Sequence, residues 1–195
     1  MRIISGLYKG RRFSGKAPAG VRPTQDAMRE TIYNVLYNFM DIESAVVADI
    51  CAGTGAMAIE AISRGADFAY LVDNSKASIA YEKAALDNFK VEKSKYKVVM
   101  SDALKFLKAV AASDEKVKFD LIFTDPPYSL NIVNEMLAII EEKELLAPGG
   151  MFVAEVGDAS FLVPPTKLCL VAEKSYAAAK VLFFLNEPIY NEVDD

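Results

Sequence analysis

Asp125-Pro126-Pro127-Tyr128 is the part of the chain whose residue types and order point most directly to chemistry. It follows an apolar run, 119–124, that is typical of a buried parallel strand. Two prolines cannot continue a strand or a helix, so we predict a rigid loop at the carboxyl end of that strand, where open α/β sheets bind their ligands. A carboxylate, a carbonyl acceptor and an aromatic ring suit a planar base that carries an exocyclic amine. A simple turn with a core tyrosine is the alternative.

A glycine loop, Gly53-Thr54-Gly55, forms a second candidate site. It lies between the apolar run 45–50 and an amphipathic stretch, 56–64, so the glycines fall in a strand-to-helix turn. The spacing also fits the dinucleotide fingerprint G-x-G-x-x-G/A. A nicotinamide enzyme directs a pyrophosphate at such a helix N-terminus, but here Asp49 lies four residues before the first glycine. A carboxylate at that place favours a cationic ligand over a phosphate.

Two more aspartates follow predicted strands. Asp73 ends the run 68–72 and lies 20 residues after Gly53, the separation at which an acidic side chain meets ribose hydroxyls in Rossmann-type sites. Asp102 follows the run 96–100. Any one such Asp is more often a helix N-cap or a turn former. Four of them after four successive strands would face the same edge of a parallel sheet.

Strand-like runs alternate with helical patterns along the chain, which predicts an α/β fold with a doubly wound, mostly parallel, seven-stranded Rossmann-like sheet. The predicted strands are 45–50, 68–73, 96–100, 119–124, 151–156, 167–172 and 180–185. The predicted helices are 25–39, 55–64, 75–89, 103–111, 130–142 and 157–162. The last two strands are too close for a crossover helix, so we expect an antiparallel C-terminal hairpin. Pro148-Gly149-Gly150 is expected to break the chain before the fifth strand.

Composition narrows the function classes. The chain of 195 residues contains no histidine, which excludes Ser-His and Cys-His nucleophilic mechanisms. Cys51 and Cys169 lack the spacing of metal ligands, so we expect no metal. We find no apolar stretch near the length of a membrane span and no signal peptide, which predicts a cytoplasmic protein without membrane contact.

The net charge of −5 is distributed unevenly. Residues 1–29 hold seven basic side chains against Asp26, a local balance of +6, which leaves −11 for the rest. This basic N-terminal extension is predicted to bind phosphates, and a merely solvated segment is the alternative. Thr24 is expected to cap the helix that follows.

Several motifs along nearly the whole chain resemble the RsmD family, which methylates guanine N2 in small-subunit ribosomal RNA. They are Met1-Arg2-Ile3-Ile4, Lys9-Gly10-Arg11-Arg12, Arg22-Pro23-Thr24, Arg29-Glu30, Ala52-Gly53-Thr54-Gly55, Ile59-Glu60-Ala61, Ser63-Arg64-Gly65-Ala66 and the Asp125 tetrapeptide. The resemblance implies a class I methyltransferase fold, S-adenosylmethionine as the donor, and a guanine of 16S ribosomal RNA in an assembling small subunit as the acceptor. Ala27, Cys51 and Ala177 depart from the family pattern.

The resemblance also implies roles for individual residues. The catalytic set is Asp125, Pro126, Pro127 and Tyr128, whose acceptors would hold the amine of the base. The cofactor set is Asp49, Cys51, Ala52, Gly53, Gly55, Asp73, Asn74, Asp102 and Ala103, with Asp102 expected at the adenine amine. The RNA-binding set is Arg2, Lys9, Arg11, Arg12, Arg22, Thr24 and Arg29.

We expect a basic arm and helix over residues 1–40, a methyltransferase domain over 41–186, an acidic tail over 187–195, and no obligate protein partner. Three other functions fit parts of the sequence. An adenine-N6 methyltransferase would use the same Asp-Pro-Pro-Tyr pocket. A nicotinamide-dependent oxidoreductase would use the glycine loop alone. A non-catalytic RNA-binding assembly factor would use the basic arm alone.

Overall fold

A computed structural model describes residues 1–18, 25–127, 132–158, 160–176 and 179–187. The strands are β1 (Val46–Ile50), β2 (Phe68–Asp73), β3 (Tyr96–Met100), β4 (Phe119–Thr124), β5 (Leu146–Gly157), β6 (Cys169–Tyr176) and β7 (Ala179–Leu185). The helices are α1 (Asp26–Leu36), α2 (Ala56–Ser63), α3 (Lys76–Phe89), α4 (Ala103–Ala111) and α5 (Val133–Glu142), and a short 3-10 turn spans Lys93–Lys95.

All seven strands form one sheet in the order β3-β2-β1-β4-β5-β7-β6. The first five are mutually parallel, and β7 is antiparallel to both β5 and β6. The predicted α/β class, the mostly parallel sheet and the antiparallel C-terminal hairpin are therefore confirmed. Chain order reverses on either side of β1, which is the topological switch point where such sheets bind ligands.

Two apolar layers cover the two faces of the sheet. One contains α1, α2 and α3 together with strand residues such as Val47, Leu71 and Phe123. The other contains α4 and α5 with the alternate strand residues, among them Ala48 and Ile122. Successive strand residues enter opposite layers because side chains alternate across a strand. Within the described part of the chain, no helix combines the length and the apolar character needed to cross a bilayer.

The N-terminal segment is a hairpin packed along α2. Arg2 and Arg12 form an antiparallel bridge, and the Ile3 and Gly10 amides donate to Arg11 and Ile3 carbonyls at 3.0 and 2.9 Å. Its tip has no room for a side chain, because a Cβ on Gly6 (φ +78°) would lie 1.7 Å from the Ser63 carbonyl oxygen. The hairpin shares the apolar layer of α1–α3.

Two predicted helix bounds and one predicted helix need correction. The first helix was expected over 25–39 but ends at Leu36, so Phe39 lies beyond it and is 38% exposed. Gln25 occupies the N-cap position without a side-chain cap, and Thr24 lies outside the described residues. The helix expected over 157–162 is wrong, since Gly157 ends β5 and residues 160–162 are irregular.

The fifth strand begins earlier than its sequence suggests. Pro148-Gly149-Gly150 lies inside β5, where the pairing with β4 shifts register between Phe119 and Leu121. Gly149 (φ +77°) donates to the Asn186 carbonyl at 2.7 Å, and the Asn186 amide donates back to Gly150 at 2.9 Å. An irregular, bulged strand tolerates the proline and the positive φ that a regular strand would not.

Candidate active site

The four predicted aspartates lie along one edge of the sheet. Ile50 pairs with Val72 and with Thr124, and Asp73 pairs with Met100. Asp49 is therefore the last residue but one of β1, and Asp73 is the last residue of β2. Asp125 directly follows β4, and Asp102 lies two residues past β3. The structure brings together the carboxylates that the sequence placed after separate strands.

The loop between β1 and α2 turns sharply with left-handed backbone at Cys51 (φ +64°), Gly53 (φ +57°) and Gly55 (φ +68°). The Ala52 amide donates to the Val72 carbonyl at 3.0 Å, and the Gly55 amide donates to the Ala52 carbonyl at 2.7 Å. A Cβ on Gly55 would lie 2.6 Å from the Leu71 side chain. Glycine is required there for both its backbone angles and the close approach of β2.

Asp73 holds the glycine loop in place. Its Oδ2 accepts from the Gly53 amide and its Oδ1 from the Ser75 amide, each at 2.8 Å. Asn74, between them, is exposed. The carboxylate thus acts as a turn former and also brings negative charge directly beside the loop.

Asp49 is the buried member of the group. It is 4% exposed, and its Oδ2 accepts from the Ala58 amide in the first turn of α2 at 3.1 Å. Burial, with smaller contributions from the nearby Asp125 and Asp73, raises the pKa of Asp49 to about 8. Cys51, at the mouth of the same loop, has its pKa raised to about 12, chiefly by burial and then by Asp73. The site therefore disfavours additional negative charge and favours a cation.

Asp102 caps α4. Its Oδ1 accepts from the Leu104 and Lys105 amides, each at 3.1 Å, and the residue is exposed. Ala103 is the first, buried residue of the helix. Asp102 is therefore the helix N-cap, as the capping alternative predicts, and its two bonds fix the backbone beside the sheet edge.

The Asp-Pro-Pro loop directly follows β4, as predicted. Asp125 and Pro127 are exposed, whereas Pro126 is buried. Both prolines line a small depression with Glu155 and Gly157 at the end of β5 and with Leu162. Tyr128, the fourth member of the predicted motif, lies outside the described residues.

A second depression, of about 660 Å³, separates the N-terminal hairpin from the glycine loop. Arg2, Arg12 and Arg29 line it on one side and Thr54 and Ala56 on the other. This hollow places basic side chains of the hairpin near the glycine loop.

The predicted RNA-binding residues occupy different places. Lys9, Arg11 and Arg12 are exposed, and Arg2 pairs with Asp26 at 2.9 Å at the surface. Arg29 is only 2% exposed, and its Nη2 donates to the Arg2 carbonyl at 2.6 Å and to Asp26 at 2.9 Å. That burial gives Arg29 a structural role between the hairpin and α1. Arg22 and Thr24 lie outside the described residues.

Two fully buried glutamates escaped the sequence analysis as functional candidates. Glu60 on α2 binds the hairpin, and Glu82 on α3 lies behind the glycine loop. The spacing of Ser78, Glu82, Ala85 and Phe89 puts Glu82 on the buried side of α3. A glutamate at a position of the apolar stripe is the sequence signal that could have indicated a buried carboxyl group.

Comparison with known proteins finds relatives over nearly the whole length of the chain. Residues 1–185 match a family described as conserved hypothetical protein 95. Ribosomal RNA small subunit methyltransferase D from Haemophilus influenzae is 28% identical over 186 residues, 95% of this chain and 94% of that one. The protein of the same name from Escherichia coli K12 is 31% identical over 155 residues, 80% of this chain and 74% of that one.

Solved structures give the same picture of the fold. The yhhF protein from Escherichia coli superposes with a TM-score of 0.81 at 29% identity, covering 96% of this chain and 98% of that chain. An RNA methyltransferase from Salinibacter ruber in complex with S-adenosyl-L-homocysteine gives a TM-score of 0.61 at 13% identity, covering 89% and 100%. The latter likeness concerns the fold alone.

Proposed function

Because the chain belongs to the RsmD family, we propose that it transfers a methyl group from S-adenosylmethionine to guanine N2 in small-subunit ribosomal RNA. The family resemblance found in the sequence is thereby confirmed. The observation that carries the proposal is the meeting of two features at one sheet edge. Asp73 fixes the glycine loop at Gly53, and the Asp125-Pro126-Pro127 loop follows the strand two positions away, on the other side of β1.

The charges around the glycine loop support S-adenosylmethionine as the donor. That molecule carries an amino group and a sulfonium and has no phosphate. Asp49 and Asp73 flank the loop that would receive it. A pyrophosphate of a nicotinamide cofactor would instead meet the Asp73 carboxylate at close range, which is unfavourable. The acidic edge thus favours the methyl donor over the oxidoreductase alternative.

Asp125 and the Pro126 carbonyl would hold the acceptor base. Both are acceptors, and together they suit the two hydrogens of an exocyclic amine. Tyr128 would stack on the flipped base, as aromatic side chains do in enzymes that act on extruded nucleotides. Holding N2 in line with the methyl carbon supplies much of the rate, since well-oriented reactants gain on the order of 7–11 kcal/mol.

The reaction requires no histidine. A C–N bond forms between N2 and the methyl carbon while the C–S bond breaks, and the electron pair of that bond leaves with sulfur as S-adenosylhomocysteine. The amine becomes acidic only as its new bond forms, so its proton passes late to Asp125 or to water. The chain's own contribution is therefore to bind, orient and exclude water.

The N-terminal hairpin would guide the RNA. Arg2 and Arg12 line the hollow that opens onto Thr54 of the glycine loop, and Lys9 and Arg11 continue the basic surface along the hairpin. Phosphate contacts of this kind give affinity and register without reading sequence. Arg29 would support the hairpin from inside and leave phosphate contact to its exposed neighbours.

The direct test supplies labelled S-adenosylmethionine with small-subunit ribosomal RNA or particles from cells that lack the protein. Nucleoside analysis of the product should yield N2-methylguanosine. Label in N6-methyladenosine would support the same Asp-Pro-Pro-Tyr pocket but show that the methylated base is adenine and not guanine. Absence of transfer to RNA and particles alike, with donor binding intact, would favour the assembly-factor alternative.

Asp125→Asn tests the base pocket. The amide replaces one acceptor by a donor, so we expect methyl transfer to fall by about 10²–10⁴-fold, while affinity for S-adenosylhomocysteine and thermal stability stay near parental. Asp114→Asn, an exposed aspartate in a distant loop, is the matched control. Full turnover of Asp125→Asn with the donor saturating would remove Asp125 from the mechanism.

A further inference from the structure

Glu82 is a buried carboxyl group that the proposed reaction does not use. It lies on α3 with 0% exposure, and neither of its oxygens has a hydrogen-bond partner among the described residues. The hydroxyl of Ser78, one turn earlier on the same side of α3, is also buried and finds no partner in that part of the chain. Buried polar groups are nearly always hydrogen-bonded, so two unpartnered side chains in one place call for an explanation.

The position of Glu82 relates it to the glycine loop. A Cβ on Gly55 would lie 3.2 Å from its Cγ, so the side chain is directly behind the loop. Asp49 lies at the same loop from the β1 side, where it accepts from Ala58. Two buried carboxyl groups thus stand behind the backbone that would receive the donor.

The surroundings of these two groups are acidic. Several titratable or charged side chains interact electrostatically with Glu82 or Asp49. They are Asp73 from β2, Asp125 after β4, Cys51 in the loop, Lys83 on α3 and Tyr33 on α1, and Tyr33 itself lies beside Arg29 and Glu60. Burial, with smaller contributions from Asp49 and Asp73, raises the pKa of Glu82 to about 8. The pKa of Asp49 is raised to about 8 as well, so protonation of the pair is favoured near neutral pH when no ligand is bound.

We propose that Glu82 and Asp49 together hold a proton behind the glycine loop and release it when a cation binds in front, so that S-adenosylmethionine binding is coupled to proton release. The inference rests on the proposed function, because it needs that donor as the cation. Glu82 acts here as a positioning residue: it does not touch the ligand, and its charge, once formed, attracts the ligand through Asp49 and the loop.

The sign of the effect follows from linkage. A bound cation favours the ionised carboxylates and lowers their pKa, so protons leave as the donor binds. Donor affinity should therefore rise with pH up to about pH 8, by about tenfold per pH unit for each proton released. S-adenosylhomocysteine lacks the sulfonium charge, so its binding should release fewer protons.

Calorimetry of the full chain measures the coupling. S-adenosylmethionine and S-adenosylhomocysteine are titrated at pH 7 in two buffers with different ionisation enthalpies, which gives the number of protons released, and affinity is followed from pH 6 to 8. Glu82→Gln removes the titrating group and keeps its shape. Asp87→Asn, an exposed carboxylate on the same helix, is the matched control.

The wild type and Asp87→Asn should release protons when S-adenosylmethionine binds and fewer protons when S-adenosylhomocysteine binds. Glu82→Gln should release fewer protons than the wild type when S-adenosylmethionine binds, and its affinity should depend less steeply on pH. An unchanged proton count in Glu82→Gln would overturn the role of Glu82. Should that variant not fold, the wild type still decides, since donor binding without proton release overturns the coupling. Failure of the wild type to bind the donor at any pH would instead overturn the proposed function, and this inference with it.

Discussion

Glu60 and Glu82 are both glutamates with 0% exposure on neighbouring helices of the same layer, yet their surroundings are opposite. Glu60 accepts from the Ile4 and Ser5 amides and from Arg64 Nε, each at 2.9 Å. Glu82 accepts from no group within the described chain. Glu60 is thus a buried carboxylate with hydrogen-bond partners, whereas the raised pKa of Glu82 favours its neutral, protonated form.

The two residues lie near opposite ends of α2. Glu60 and Ser63 hold the tip of the hairpin at the C-terminal part of α2, whereas Glu82 lies behind Gly55, where α2 begins. A buried carboxylate with partners stabilises the fold, because removing one partner would leave an uncompensated buried charge. Leaving a carboxyl unpaired keeps its charge available for a ligand. The following tests separate these two uses.

Glu60→Met should produce the largest effect. It leaves two part-buried amides and the Arg64 guanidinium without their acceptor, so we expect the free energy of unfolding to fall by about 3–5 kcal/mol. Urea denaturation measures it, with the exposed Glu92→Met as the control. A loss below about 1 kcal/mol would mean that the hairpin adds little to stability.

Glu82→Met should act in the opposite direction. It replaces an unpartnered carboxyl with an apolar side chain of similar shape, so we expect a gain of about 1–3 kcal/mol at pH 8, the usual cost of an unsatisfied buried group. The same denaturation experiment applies. If the two methionine variants lost stability alike, the distinction between the glutamates would be wrong.

Without added ligand, the protein should lose stability as pH rises. An unfolded carboxyl has a pKa near about 4, whereas burial raises that of Asp49 and Glu82 to about 8. The folded state therefore binds more protons between these values, and the stabilisation present at low pH is lost toward pH 8. Each group contributes up to about 1.4 kcal/mol per pH unit. Glu82→Met should remove one of the two contributions, and an unchanged slope would show that Glu82 is charged when buried.

Alanine at Lys9, Arg11 and Arg12 should give the smallest change per residue. If all three contact phosphates of single-stranded RNA, the log–log salt slope should flatten by about 0.7 for each, roughly 2 in all. Donor binding should stay unchanged. Alanine at the exposed Lys108, Lys116 and Lys174 is the charge-matched control. A parental slope in the hairpin variant would move the RNA surface elsewhere.

The sheet and its active edge were predictable because strands and glycine turns have local signatures. The positions of Asp73 at the end of β2 and of Asp125 after β4 follow from apolar runs alone. Bounds failed where tertiary contacts decide them. Pro148-Gly149-Gly150 suggested a break, but its bonds to Asn186, far along the chain, keep it within β5.

Buried charge was the feature that sequence patterns concealed. Arg29 resembled one more cation of a basic arm, although its bonds to Arg2 and Asp26 bury it. Glu60 and Glu82 have the residue type of a solvated helix face. Whether such a side chain is paired depends on the partner that the fold brings to it, and Ser5 is 55 residues away from Glu60.

The hairpin also sets an order of events during synthesis. Tyr8 donates to Ser63 across 55 residues, and Arg11 donates to the Phe89 carbonyl across 78. Contacts so distant in sequence form late, because the intervening chain must first be ordered. The hairpin is synthesised before the residues that bind it and is thus among the last segments to find its place. Until residue 89 has emerged, Ile3 and Tyr8 have no complete surface to cover them, and a nascent chain paused before that point exposes both.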